Sequence, residues 1–303
     1  MANWMSFIPD DRKLLLINIP GAHDAAANEI NVIGIPFAQT QDKFIPELLR
    51  IGVRLLDIRV GIREGNIDDD NLYTWHGAFE CYYLDENKKQ KSLTFKHILL
   101  DIRTFLEENP SETIILWTQS GKGGDYENIK RAVELLDKIV PDILVKYDKN
   151  LKMGDVRGKI VTTVYKTNKF DSQGRVVYHS GFDGGTNLNE VHRKFVDGDY
   201  YNTWEVTGEL KVEEVEEFIR THEISIEDAQ KDIENNKAKY PFSYSISCTG
   251  EHRTVLPLPK VQADIVNTFM MGYDLKKGYC YGWIFIDFVS LELSQKFVNT
   301  NFK

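Results

Sequence analysis

The stretch LLLINIPGAHDAAA, residues 14–27, joins an apolar run to two titratable side chains. The run LLLINI (14–19) has the length and the β-branched content of a buried strand, and we predict that Pro20 and Gly21 end it. His23 and Asp24 follow immediately, so an imidazole and a carboxylate would lie just beyond the carboxyl end of a strand. Such a position suits a general base, although a histidine that is hydrogen-bonded into a loop would give the same pattern.

Strand-like and helix-like segments alternate along the rest of the chain. The strand-like runs are 14–19, 53–60, 72–76, 113–118, 159–165, 242–247 and 280–288. The helix-like segments are 43–52, 92–109, 126–140, 212–222, 225–240, 260–272 and 291–300. This alternation is typical of a parallel sheet, and neither a linker nor a repeat divides the chain. We therefore predict a single α/β domain, residues 1–303, built as a barrel of strands and helices, with a doubly wound open sheet as the alternative.

The overall composition is that of an ordinary globular protein, with 303 residues of which 42% are hydrophobic and 27% are charged. The formal net charge of -9 and the absence of a stretch dense in Lys and Arg argue against a nucleic-acid partner. No apolar stretch reaches the length of about 18 residues that a spanning helix needs. The first residues also lack the pattern of a signal peptide, so we expect a chain that is either intracellular or already without its leader. Cys81, Cys248 and Cys280 lie far apart and are predicted to be free thiols.

Polar residues end several of the predicted strands. Asp57 and Arg59 lie two residues apart in VRLLDIRVGIR (53–63), so on a strand they share a face, where a purely structural ion pair would look the same. In a barrel, the carboxyl ends of the strands converge on one mouth, where catalytic groups usually lie. The candidates at or near such ends are His23, Asp24, Arg59, His76 and Asp287.

This set of residue types suits the cleavage of a phosphodiester by an internal hydroxyl group. One imidazole would take the hydroxyl proton, and the other would protonate the leaving oxygen. A guanidinium matches the non-bridging phosphate oxygens and stabilises the charge that builds on them. The sequence therefore indicates acid–base catalysis on a phosphodiester.

Several motifs resemble those of the bacterial phosphatidylinositol-specific phospholipases C. They are IPGAHD (19–24), the DIR of LLDIRVG (55–61), YTWHG (73–77), NPSETIIL (109–116), GDVRGKIV (154–161) and GWIFIDF (282–288), preceded by a similar lead-in, NWMSFIPD (3–10). The resemblance runs in order from about residue 3 to residue 299. It implies a distorted TIM-like (β/α)8 barrel whose sheet need not close completely.

The resemblance also implies a role for each candidate residue. His23 would be the general base, oriented by Asp287, and would remove the proton from the inositol 2-hydroxyl. That oxygen would attack phosphorus, giving a cyclic 1,2-phosphate and diacylglycerol. His76 would be the general acid, assisted by Asp24, with Asp57 in the supporting network. Arg59 would hold the phosphate where the eukaryotic relatives use calcium, so we expect no metal and no other cofactor.

The sequence departs from the family in the residues that recognise the inositol ring. Where the family has a lysine after NPSETII, this chain reads LWTQSGK, and where the family has an arginine after GKIV, it reads TTVYKTN. Trp204, Tyr201 and Lys166 are the candidates for substrate binding. Three alternatives therefore stay open: another inositol-type headgroup such as a glycosylated phosphatidylinositol, a lysolipid, and a non-catalytic module that binds a lipid headgroup. The absence of an acidic metal-ligand cluster disfavours a glycerophosphodiester phosphodiesterase.

The expected partner is a phosphatidylinositol-type lipid at a membrane surface, with no obligate protein partner. INVIGIPF (30–37) and TVLPLP (254–259) fall where the family has apolar elements at the rim of the barrel. The candidates for membrane contact are Ile33, Ile35, Phe37, Val255 and Leu256, although each would serve equally well in the core. The negative net charge disfavours binding through a basic patch. By resemblance the protein would be secreted, with a cytoplasmic location as the alternative.

Overall fold

The computed structural model describes residues 1–30, 35–63, 72–122, 125–148, 150–164, 177–178, 220, 223–235, 243–245 and 258–302. In these ranges the strands are β1 (Ile19–Ala22), β2 (Glu29–Ile30), β3 (Leu55–Ile62), β4 (Leu72–His76), β5 (Phe79–Leu84), β6 (Gln90–Ser92), β7 (Thr113–Ser120), β8 (Leu144–Lys146), β9 (Lys159–Val164), β10 (Val177–Tyr178), β11 (Ile224–Ser225), β12 (Ser243–Ser245), β13 (Tyr279–Cys280) and β14 (Trp283–Ile286). The α-helices are α1 (Ile35–Ala38), α2 (Ile45–Arg50), α3 (Phe95–Glu108), α4 (Asp125–Ile139), α5 (Met153–Val156), α6 (Ile226–Glu234), α7 (Pro259–Gly272) and α8 (Leu291–Asn299). Two short 3-10 helices, Trp4–Phe7 and Leu14–Leu16, precede β1.

A parallel sheet forms the centre of the molecule. Over the described residues its strands follow the order β10, β9, β7, β3, β1, β14 and β12, and they pair in parallel along this path. The sheet does not close within these residues. Helices connect the strands, as the alternating pattern predicted, so that the carboxyl ends of β1, β3, β7 and β14 point the same way. The helix α3, which lies within the predicted helical segment 92–109, buries an apolar stripe that includes Ile98, Leu99 and Ile102.

The first predicted strand is wrong in position. Leu14–Leu16 form a 3-10 helix, and β1 begins at Ile19, so that Pro20 and Gly21 lie within the strand and do not end it. The Pro20 carbonyl accepts a hydrogen bond from the backbone N–H of Arg54. A Cβ atom at Gly21 would lie 2.6 Å from the side chain of Leu55, so β1 approaches β3 too closely for any other residue there. Tight strand packing therefore overrides the usual breaking effect of this dipeptide.

A buried ion pair lies at the amino-terminal end of the central strands β3 and β7. Arg54 Nη2 lies 2.8 Å from Oε2 of Glu112, and both side chains are fully buried. Glu112 also accepts a hydrogen bond from the backbone N–H of Met5, while Arg157 donates to the carbonyls of Met5 and Ile8. The motifs NPSETIIL and GDVRGKIV thus anchor the lead-in segment and lie away from the candidate catalytic residues. None of the helices within the described ranges has the length and hydrophobicity of a membrane span.

Candidate active site

His23 and Asp287 leave two neighbouring parallel strands side by side. Ala22 of β1 pairs with Ile286 of β14, so the next residue on each strand emerges at the same level. His23 Nδ1 lies 2.7 Å from Oδ1 of Asp287, and both side chains are buried. A carboxylate only accepts hydrogen bonds, so Nδ1 carries the proton and Nε2 holds the lone pair of the neutral imidazole.

Arg59 contacts that lone pair from the next strand. Its Nη2 lies 2.7 Å from Nε2 of His23 and 3.5 Å from Oδ2 of Asp57, and its Nε lies 3.3 Å from Oδ2 of Asp24. The Arg59 side chain keeps 16% of its surface exposed, whereas both carboxylates are buried. The pair of Asp57 and Arg59, which the sequence left open as a structural ion pair, is therefore part of a larger cluster around His23.

This environment keeps His23 neutral. Burial of the imidazole is the largest cause that lowers its pKa to about 4, and the positive charge of Arg59 adds to the effect. The carboxylates of Asp57 and Asp24 act in the opposite direction and are outweighed. A neutral imidazole at physiological pH is the form that accepts a proton.

Asp24 links the arginine to the second histidine. Its backbone has a φ of 41°, a left-handed conformation that is uncommon for a residue other than glycine. The conformation is held by a hydrogen bond from the Asp24 N–H to Oδ2 of Asp57. The Asp24 carboxylate then lies between Arg59 and His76, whose Nδ1 is 3.5 Å from Oδ2 of Asp24. Such strain at a site persists only where the surroundings enforce it.

His76 reaches the site by a different route from the one predicted. The strand β4 is antiparallel to β3, with Thr74 opposite Val60, so its carboxyl end is not one of the parallel ends at the mouth. The β3–β4 hairpin extends past the mouth, and β4 runs back and returns His76 toward the level of Arg59. The expectation that His76 ends a parallel barrel strand is wrong, although the residue does join the cluster.

The sequence missed the main partner of His76. Its Nδ1 lies 2.6 Å from the backbone carbonyl of Ala38, closer than the Asp24 carboxylate. A carbonyl only accepts hydrogen bonds, so Nδ1 carries a proton and Nε2 is the atom that exchanges a proton with its surroundings. Ala38 ends the short helix α1, and no residue pattern signals a backbone acceptor of this kind.

Gln119 is a second contact that the sequence did not reveal. Arg59 of β3 pairs with Gln119 of β7, and Gln119 Nε2 donates a hydrogen bond of 2.8 Å to Oδ1 of Asp57. The departure LWTQSGK therefore places a neutral amide against the carboxylate cluster. Lys122, in the same stretch, is exposed and holds its Nζ 4.0 Å from the centre of the Trp75 ring.

Several predicted residues lie outside the described part of the chain. They are Lys166, Tyr201 and Trp204 of the substrate set, and Ile33, Val255 and Leu256 of the membrane set. Ile35 belongs to α1, and Phe37 in the same helix is half-buried. Cys81 and Cys280 are buried free thiols, and burial raises the pKa of Cys280 to about 12.

Among the residues that the structure describes, no group of three or more His, Cys, Asp or Glu side chains could hold a metal ion.

The helix α7, which packs beside α1, exposes Leu258 at its amino end and Val261 and Ile265 along one face. Leu258 belongs to the predicted rim segment 254–259, whereas Val261 and Ile265 follow that segment and add an apolar stripe that was not predicted.

The comparisons with known proteins agree with the motifs. The 1-phosphatidylinositol phosphodiesterase of Listeria monocytogenes is 29% identical over 167 residues, which cover 52% of this chain and 47% of that protein. The enzyme of the same name from Staphylococcus aureus strain Newman is 28% identical over 138 residues, covering 45% and 38%. The chain thus covers less than half the length of either curated relative. A search of protein-family models gave no match.

The fold of this chain is similar to that of a solved bacterial structure. The solved structure of the phosphatidylinositol-specific phospholipase C from Listeria monocytogenes has a TM-score of 0.66 at 21% identity, covering 100% of this chain and 99% of that one. The predicted resemblance and the predicted TIM-like α/β barrel are confirmed, with the sheet left open over the described residues.

Proposed function

We propose that this chain is a single catalytic domain that cleaves phosphatidylinositol without a metal ion, producing diacylglycerol and inositol 1,2-cyclic phosphate. The observation that carries the proposal is the position of His23, whose two ring nitrogens contact Asp287 on one side and Arg59 on the other. A neutral base beside a fixed cation is what an internal attack on a phosphodiester requires. The names of the curated relatives support the choice of substrate.

His23 acts as the general base in this proposal. The inositol 2-hydroxyl takes the place of Arg59 at Nε2 of His23 and gives up its proton there as its oxygen attacks phosphorus. Asp287, hydrogen-bonded to Nδ1, fixes the tautomer and stabilises the imidazolium that forms. Because burial keeps the imidazole neutral, the base is available over the whole neutral pH range.

Arg59 supplies the positive charge at phosphorus. Its guanidinium turns from His23 to the non-bridging oxygens, whose negative charge grows as the new P–O bond forms. Asp24 lies 3.3 Å from Nε of the guanidinium, and Asp57 lies 3.5 Å from Nη2, the nitrogen that also contacts His23. A positive charge is therefore held at the site before the substrate arrives, in the role that a bound calcium ion would otherwise fill.

His76 completes the reaction as the general acid. With Nδ1 fixed by the Ala38 carbonyl and near Asp24, the protonated ring gives its Nε2 proton to the diacylglycerol oxygen as the P–O bond to it breaks. One proton leaves the hydroxyl and one reaches the leaving group, so the overall cleavage is balanced. The carboxylate of Asp24, 3.5 Å from Nδ1, helps to hold the ring in place during the transfer.

One observation supports a second candidate substrate, a glycosylated phosphatidylinositol. The amide of Gln119 contacts Asp57, and Lys122 contacts the Trp75 ring, in the stretch where the family places its ring-binding lysine. The same chemistry on a glycosylated phosphatidylinositol is therefore the second candidate function. It differs from the first only in the groups that the mouth accepts around the inositol ring.

Access to the substrate is proposed to occur at a lipid surface. Phe37 lies on α1, which packs beside α7, and α7 exposes Val261 and Ile265; these apolar elements suit insertion among acyl chains. The proposal extends to contact with lipid through Ile33, Ile35, Val255 and Leu256. A secreted location follows from the resemblance alone.

The test is to incubate the purified protein with phosphatidylinositol vesicles in EDTA and to follow the products by phosphorus NMR. The proposal predicts the resonance of a five-membered cyclic phosphate as the first product. The appearance of inositol 1-phosphate with no cyclic precursor, or a requirement for calcium, would contradict it. A parallel reaction with a glycosylated phosphatidylinositol ranks the two headgroups.

A further inference from the structure

Gln41 connects the two strands that carry His23 and Asp287. It is fully buried, and its Nε2 donates hydrogen bonds of 2.8 Å to the carbonyl of His23 and 2.9 Å to the carbonyl of Ile286. Its Oε1 accepts a hydrogen bond from the N–H of Val289, at 3.3 Å. One side chain therefore satisfies backbone groups at the carboxyl ends of both β1 and β14.

Thr40 makes a matching connection one residue earlier. It is also fully buried, and its hydroxyl donates to the carbonyl of Asp24 at 2.9 Å, while its own carbonyl accepts from the N–H of Phe288 at 2.7 Å. Asp24 and Phe288 both have left-handed backbones, with φ of 41° and 48°. The residue after the base and the residue after its orienting carboxylate are thus both strained and both hydrogen-bonded to Thr40.

We propose that Thr40 and Gln41 are positioning residues, which hold His23 in register with Asp287 so that the base keeps its orientation during turnover. The proposal rests on the function proposed above and adds to it two residues outside the predicted site. The bonds that Thr40 and Gln41 make reach the backbone at Asp24 and His23 on one strand end and at Ile286, Phe288 and Val289 on the other.

The same segment also reaches the second imidazole. Ala38, two residues before Thr40, provides the carbonyl that binds Nδ1 of His76. Residues 38–41 therefore contact the proposed acid and the proposed base from one continuous piece of backbone. A shift of this segment would move both rings, and displacements of about 1 Å are enough to lower a rate by about 10²-fold.

Asn18 offers a matched control at the opposite end of the same strands. Its buried amide accepts from the N–H groups of Tyr281 and Gly282, at 2.7 Å and 3.0 Å, and donates to the carbonyl of Tyr279 at 3.0 Å. Asn18 thus joins β1 to β14 as Gln41 does, but far from His23 along the strand. Loss of either amide leaves buried backbone groups without a partner, so both variants should be destabilised.

The experiment compares Gln41→Met, Thr40→Val and Asn18→Leu in the full chain. With imidazole nitrogens labelled, NMR gives the rate at which the Nδ1 proton of His23 exchanges with water, and assays on phosphatidylinositol give kcat and KM. For Gln41→Met and Thr40→Val we expect faster exchange and a kcat that is lower by about 10- to 100-fold with an unchanged KM. For Asn18→Leu we expect a lower unfolding midpoint but unchanged exchange and kcat.

Each outcome decides the proposal. If Thr40→Val and Gln41→Met lose stability but keep the exchange rate and kcat, or if Asn18→Leu changes them equally, the two residues are merely structural and the proposal is wrong. Should Gln41→Met not fold, the nearly isosteric Thr40→Val decides alone. If the unaltered protein has no turnover, the function proposed above fails, whereas the exchange rates still test the positioning of His23.

Discussion

Nη2 of Arg59 lies 2.7 Å from Nε2 of His23, so the proposed phosphate ligand is hydrogen-bonded to the very atom that would accept the substrate proton. The two groups cannot both serve the reaction in this arrangement. Movement of Arg59 toward a phosphate would free Nε2, which links the arrival of the phosphodiester to the availability of the base. The carboxylates of Asp24 and Asp57 guide that movement, because they hold the guanidinium near the mouth.

Replacement of Arg59 by lysine should abolish most turnover even though the charge is kept. A single ammonium group cannot contact Asp24, Asp57 and a phosphate together as a planar guanidinium does. We expect kcat to fall by about 10²–10³-fold, the loss typical of one preorganised donor. EDTA should leave the unaltered protein fully active, and added calcium should not restore the variant. Rescue by calcium would show that a metal ion takes part after all.

Each histidine should be required for catalysis and not for folding. A positioned acid or base contributes about 10²–10⁴-fold, so His23→Ala and His76→Ala should each lose activity in that range. Circular dichroism and thermal unfolding check that the fold is retained. The half-buried His97 on α3 provides the control, since it pairs with Asp101 on the same helix and its replacement by alanine should leave kcat unchanged. A His76→Ala variant with near-normal turnover would remove His76 from the role of acid.

The buried His23 should make the protein less stable as the pH falls. Its pKa is lowered to about 4 in the folded state, whereas an unfolded histidine has a pKa of about 6.5, so the unfolded chain binds the extra proton between these values. Stability is therefore complete above about pH 6.5 and decreases by about 1.4 kcal/mol for each pH unit below it, down to about pH 4.

Urea unfolding at pH 7 and pH 5 measures this effect. The His23→Gln variant, which has no titrating ring at this position, should show a smaller loss between the two pH values than the unaltered protein. The difference should be about 2 kcal/mol. Equal losses in the two proteins would mean that His23 is not neutralised by its surroundings.

Gly121 is expected to tolerate no side chain. A Cβ atom there would lie 2.9 Å from the Trp75 carbonyl and 3.0 Å from Cβ of Arg59, so Gly121→Ala should displace the arginine. We expect kcat to fall by about tenfold or more, with a destabilisation of about 1–3 kcal/mol. Gly272→Ala is the matched control, because nothing lies within 4 Å of its Cβ position at the end of α7. It should keep full activity on a soluble substrate.

The apolar stripe on α7 should matter only when the substrate is part of a bilayer. Replacing Val261 and Ile265 by serine removes apolar surface worth about 1.5–3 kcal/mol for each fully buried side chain, so vesicle binding should weaken about tenfold or more. Hydrolysis of soluble inositol 1,2-cyclic phosphate should be unchanged. Leu100→Ser, an equally exposed apolar site on α3, should leave vesicle binding intact. Binding that falls steeply with salt would instead indicate an electrostatic mode.

Sequence reasoning located the site residues better than the elements that carry them. Asp57 and Arg59 are on one strand as predicted, and Asp287 follows the last parallel strand. His76 was found for an incorrect reason, because an antiparallel hairpin returns it to the mouth. The strand predicted at 14–19 begins at Ile19, since close packing of Gly21 against Leu55 outweighs the local preference of Pro-Gly. Local propensity depends only on residues that are close in sequence, whereas the position of β1 is decided by its packing against β3, which is distant in sequence.

The sequence by itself determined the class of fold, because strand-like and helix-like segments alternate along the chain. It also determined which kinds of side chain lie at the mouth, because polar residues end several of the apolar runs. Both are local properties that a chain carries in its order of residues. Only the tertiary structure decided which atom contacts which: the Arg59 guanidinium on Nε2 of His23, the Ala38 carbonyl on His76, and the amide of Gln41 across two strand ends. These contacts join residues from separate segments, and several use backbone groups, which every residue has and no sequence pattern distinguishes.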